Sequence, residues 1–145
     1  MLKKLTAIAV FGAIALVTAS CGADLKKVKI EVSAGMVDMI EIANTSVAKI
    51  ESAPSAEDAA LASENAAAEL KKAGDTLMVL VNSYQLSVQQ DDELEKMLEA
   101  EMTELIAAME KLSGTIAVSA EKYAGDEGVL NRMNTALSVL STVLQ

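Results

Sequence analysis

Histidine and tryptophan are missing from this chain, and cysteine, proline and phenylalanine each occur once. These absences exclude a good deal of chemistry. Without histidine, Ser–His and Cys–His nucleophile pairs cannot be built from these residues. The common zinc sites draw on histidine or on several cysteines. The Glu-x-x-His pattern that makes di-iron sites in helical bundles is excluded too. Phe11 stands near the start, so Tyr84 and Tyr123 are the only aromatic residues beyond it. Two rings are too few for a platform that stacks bases, and the same scarcity disfavours a sugar platform. Basic residues are also few: 12 Lys and Arg face 21 Asp and Glu. A surface of that sign repels nucleic acid. No catalytic residue, cofactor site or metal-ligand set emerges, and the chain reads as non-enzymatic.

What is present begins with a secretory signal. Met1-Leu2-Lys3-Lys4 is a short cationic start, and Leu5 to Val17 is an apolar run broken only by Thr6 and Gly12. The run is shorter than the roughly 20 residues that span a bilayer. No twin arginine precedes it, which points to a Sec-type route. The segment then ends in Val17-Thr18-Ala19-Ser20-Cys21, which resembles the lipobox of bacterial lipoprotein precursors. Thr18 departs from the leucine most usual at its position. The resemblance covers this segment alone. It implies a diacylglycerol on the Cys21 thiol, cleavage just before Cys21, and attachment to a membrane of the cell envelope. Gly22 is not the aspartate that retains many such proteins at an inner membrane, so an outer membrane facing the periplasm is implied where the host has two. Cys21 is the only cysteine, so an internal disulfide is impossible, and lipidation accounts for an exported lone thiol. Two or three acyl chains hold where one alone holds weakly.

Loss of the first 20 of 145 residues leaves 125, enough for one domain with a core, and removing Lys3 and Lys4 takes the formal charge from −9 to −11. The expected organisation is a signal peptide over 1–20, a lipidated cysteine and tether over 21–27, and a helical domain over 28–145. Lys26, Lys27 and Lys29 cluster in and after the tether. They suit either an ordinary charged helix start or contact with anionic headgroups.

Four helical stretches follow. Met36, Ile40, Ala43, Val47 and Ile50 recur at spacings of three and four, the period of one helix face. Over residues 28–32 the alternation also fits an extended segment, although no second strand is available to pair with it. Pro54 ends this helix, and Ser55 with Glu57 and Asp58 starts the next. Its face carries many alanines, then Leu70, Ala73, Leu77, Val81, Tyr84 and Val88. Lys71 to Asp75 permits either one continuous helix or a break at Gly74. A new start is expected over Gln89–Asp92. Leu98, Met102, Leu105, Met109, Leu112, Ile116, Ser119 and Tyr123 then hold a strict four–three pattern, with Glu101 and other acids off the seam. After a turn at Ala124–Gly128, Leu130, Met133, Leu137, Leu140 and Leu144 mark the last helix. The fold class expected is all-α, an antiparallel up-down-up-down bundle of three to four helices.

Four candidate sites stand against simpler readings. The acid-rich run Asp91–Glu104 lacks the alternating oxygens and glycine of a calcium loop, so it reads as a helix start and solvated face. Gly125-Asp126-Glu127-Gly128 has the outline of a GxxG phosphate clamp, but its two acids would repel phosphate. Met36, Met39, Met78, Met97, Met102, Met109 and Met133 offer thioethers that can hold Cu(I), while their places on or beside the seams favour packing. Tyr84 and Tyr123 read as buried rings with their hydroxyls at the rim. Asn44-Thr45-Ser46 is a chance glycosylation triplet. The sequence therefore points to a membrane-anchored module that works by contact with an envelope protein or another copy of itself. The alternative is a small-ligand or metal carrier. For a partner surface, the exposed side of the last helix, with Val129, Val139 and Val143, is the expected place.

Overall fold

The computed structural model describes residues 24–143, which form five α-helices and, among the described residues, no strand. α1 spans Leu25–Glu51, α2 Ala56–Ser83, α3 Val88–Met97, α4 Glu99–Lys122 and α5 Glu127–Val143. The protein is all-α. Three to four helices are expected from the sequence; the fifth is the short α3.

α1 starts at Leu25, three residues before the domain start expected at Val28. Asp24 caps it, accepting a hydrogen bond from the Lys26 amide at 3.0 Å. Residues 28–32 are helical, with Val28 and Val32 buried. Burial of both on one face outweighs the local alternation. The chain then turns through Ser52–Ser55. Ser55 is the N-cap of α2, accepting from the Asp58 amide at 3.1 Å. α2 runs unbroken through Gly74, which is buried.

The next break falls earlier than Gln89–Asp92. α2 ends at Ser83, and Gln85 takes a left-handed conformation with φ 48°. Ser87 then opens α3 through a capping box. Its hydroxyl accepts from the Gln90 amide, and the Gln90 side chain accepts from the Ser87 amide at 3.1 Å. Val88, expected on a buried face, is exposed. Between α3 and α4 only Leu98 leaves helical geometry, and its buried side chain lies at the bend. Asp126 starts α5, accepting from the Gly128 and Val129 amides at 3.1 Å each.

α1 packs along α2 and α4, and α5 packs along the same two helices. α2 and α4, consecutive long helices, share no extended interface. Small residues permit the close approach. Ala43, Ala59, Ala60, Ala66 and Ala67 are buried with Leu70, Leu112, Ile116 and Met133 in the main core. A second cluster, Val28, Val32, Leu94 and Leu98, forms where the start of α1 meets α3 and the end of α2. The α4 stripe is buried at Leu98, Leu105, Met109, Leu112 and Ile116, as its spacing predicts.

Candidate functional site

α5 has 17 residues against 27 in α1 and 28 in α2. Near its described end at Val143, a cavity of about 80 Å³ lies between the helices. Met36 and Met39 of α1, Met78 of α2 and Met102 of α4 line it, with Glu95 of α3 and Val143 among the other walls. The lining is overwhelmingly apolar. Glycine helps shape it. A Cβ added to Gly74 would stand 3.2 Å from Val143 Cγ1, and one added to Gly35 would stand 2.9 Å from Leu77 Cδ1.

Polar contacts tie the same end together. Lys29 Nζ donates to Glu101 Oε1 at 2.5 Å, and the Ser33 hydroxyl donates to the same oxygen at 3.1 Å. The Lys29 hydrogen bond leads in holding the Glu101 carboxyl below its ordinary value. Tyr84 donates its hydroxyl to Glu31, and the bond to this carboxylate raises the phenol above its usual value. Burial, with Asp92 alongside, raises Asp91. At the far end Arg132, the only arginine, grips Glu64 in a two-point fork at 2.8 and 2.7 Å and also reaches Glu57. It thereby joins α5 to α2.

The residues singled out by sequence fall as follows. Cys21, the signal and Gly22 lie outside the described residues. Lys29 turns onto Glu101, whereas Lys26 and Lys27 are exposed. Glu101, expected on a solvated face, is a partner of that pair. Within Asp91–Glu104, and among all described residues, no group of three His, Cys, Asp or Glu could hold a metal ion. Gly125–Gly128 spans a turn and the start of α5, with Asp126 as the cap. Tyr84 and Tyr123 are half-buried.

One expectation is overturned. Val129 is fully buried in the core, and Val139 and Val143 are half-buried against it. Leu130 and Leu137 are the half-buried residues, while Ala136 is buried. The small Ala136 lets the neighbouring helices approach, and this rotates the inward face toward Val129. The methionines divide in a way that spacing alone does not reveal. Met109 and Met133 are core residues away from the cavity, whereas four others line it. A shallow open depression over Lys71, Lys72 and Asp75 on α2 has no enclosing walls. Among the described residues, no helix is long and apolar enough to cross a membrane. Comparison with family models, with curated proteins and with solved structures finds no match.

Proposed function

We propose that this protein is an exported lipoprotein, held on an envelope membrane by lipid on Cys21, whose helical domain acts by contact rather than by catalysis. The observation that carries the anchoring is the Val17–Cys21 segment followed so soon by folded chain. α1 begins at Leu25, so only Gly22, Ala23 and Asp24 separate it from Cys21. Four residues of extended chain reach about 14 Å, which keeps the domain against the bilayer. Gly22 favours an outer membrane facing the periplasm where the host has two.

We read the four long helices as a bundle in which the chain runs up, down, up and down, with α3 crossing one end. The support lies in particular contacts. Glu31 at the start of α1 meets Tyr84 just past the end of α2, and Lys29 meets Glu101 at the start of α4. In this reading α1 and α4 lie side by side in the same direction, as do α2 and α5. The partner is an envelope protein or a second copy of the chain.

The test is made in intact cells that incorporate a labelled fatty acid, followed by crosslinking. The wild-type chain should carry label, partition with membranes and yield a reproducible link to one envelope protein or to itself. Cys21→Ser should lose the label, the membrane fraction and the link. Label retained in Cys21→Ser would overturn the anchoring. A linked set that is diffuse and unchanged by Cys21→Ser would overturn the contact role. A second reading, a carrier of a small ligand or metal, is favoured by one observation: the methionine-lined cavity.

A further inference from the structure

Four of the seven methionines in the described residues, drawn from three helices, line one cavity of about 80 Å³. We propose that this cavity is a thioether site for Cu(I). The proposal deepens the carrier reading and does not depend on lipid at Cys21.

Size is the first argument. Sites for small organic ligands usually measure about 300–1,000 Å³, so such a ligand would have to force these helices apart. A single ion would not. Donor chemistry is the second. Thioethers are soft and select Cu(I), whereas calcium and magnesium need several oxygens and zinc prefers imidazole and thiolate. This chain has no histidine, and Glu95 is the only carboxylate among the cavity walls. The cavity therefore offers little to a hard cation and several donors to a soft one.

Adaptability is the third argument. Methionine has three rotatable bonds and a polarisable sulfur. Met36 and Met102 are half-buried and Met78 is 37% exposed, so three of the four are not enclosed on every side. Met39 is 1% exposed and is held against the floor near Gly74. Burying a cation in an apolar site is costly unless an opposite charge stands near. Glu95 supplies one.

The test uses the chain carrying Cys21→Ser, so that the thiol does not compete. Cu(I), kept reduced by ascorbate, is titrated against a coloured Cu(I) chelator. One equivalent should bind. The volume-conserving pair Met36→Leu/Met102→Leu should weaken binding about tenfold or more, while Met109→Leu/Met133→Leu in the core should leave it unchanged. Should the first pair fail to fold, methionine methyl NMR on the parent chain with Ag(I), a redox-inert soft ion, decides. The methyl signals of Met36, Met39, Met78 and Met102 should shift, and those of Met97, Met109 and Met133 should stay. Absence of binding, equal loss in both pairs, or shifts confined to methionines outside the cavity would overturn the proposal. None of these results would bear on the anchor.

Discussion

Replacing Gly114 with alanine should stabilise the protein, and replacing Gly35 with alanine should not. Both glycines lie inside long helices, α4 and α1. Alanine is favoured over glycine in a helix interior by about 0.5–1 kcal/mol. At Gly114 an added Cβ meets nothing within 4 Å, so the full gain is expected. At Gly35 the same atom would stand 2.9 Å from Leu77 Cδ1, inside the roughly 3.5–4.0 Å of ordinary carbon contact. Leu77 must then rotate, or α1 and α2 must part. Overpacking of this kind costs about 1–3 kcal/mol, which cancels or exceeds the helical gain. Urea unfolding followed by far-ultraviolet circular dichroism suits a chain with no tryptophan. The Gly114→Ala midpoint should rise and the Gly35→Ala midpoint should hold or fall, with unchanged slopes. Equal stabilisation at both positions would refute the reasoning, because it would mean that Leu77 swings clear of the added methyl, into the cavity it lines, at no cost.

Leu70→Ala removes a side chain with no exposed surface and should cost about 2–5 kcal/mol in the same assay. Ser87→Ala removes the cap of α3 and should cost about 1 kcal/mol, with faster amide exchange in Val88–Met97 than elsewhere. Glu101 and Glu64 are held below their ordinary values by Lys29 and Arg132, so the stability they contribute is present above the ordinary carboxylate range and is lost as pH falls through their folded values. Asp91, which is raised, acts in the opposite sense, relieving stress as it protonates. Glu101→Gln should therefore flatten the acid-side fall of the urea midpoint relative to wild type. Tyr84 is raised by Glu31, so its hydrogen bond contributes below the ordinary tyrosine value and is lost as pH rises through the folded one. Tyr84→Phe should remove that alkaline loss, and absorbance of the phenolate reads the titration directly.

Much of the helical content was legible because its signals are local. Pro54 and Ser55 mark a stop and a start within two residues, and the four–three spacing from Leu105 to Ile116 permits only one buried face. The break after α2 was not legible in the same way. Gln85 takes the left-handed conformation without being glycine or asparagine, and no proline accompanies it. The Ser87–Gln90 box lies in a polar run that also suits a helix interior. On α5, Met133 and Leu140 belong to two candidate faces. Val129 and Ala136 complete one, while Leu130 and Leu137 complete the other. Hydrophobicity favours the leucines, but the small size of Ala136, which lets its neighbours close in, decides for the first. The cavity was legible only in part. Each methionine could be placed on or beside a seam, but periodicity within one helix does not say which layer of another helix it meets. The pairing of Lys29 with Glu101 was hidden for the same reason, since 72 residues separate the partners.

The length of α1 has a consequence for where the protein can act. At 27 residues and 1.5 Å per residue it measures about 40 Å. It runs from the end nearest Cys21 in sequence to the turn at Ser52–Ser55, so with the chain anchored as proposed it limits how far from the bilayer the outer turn can reach. Arg132, gripping Glu57 and Glu64 near that turn, ties α5 to α2 at the same outer end. A partner that meets the outer turns can do so tens of ångströms from the bilayer. One that meets α3 must approach the lipid surface itself. With the bundle upright on that anchor the two ends would sample separate layers of the surrounding space, and a crosslink mapped to either end would then report its partner's height above the membrane.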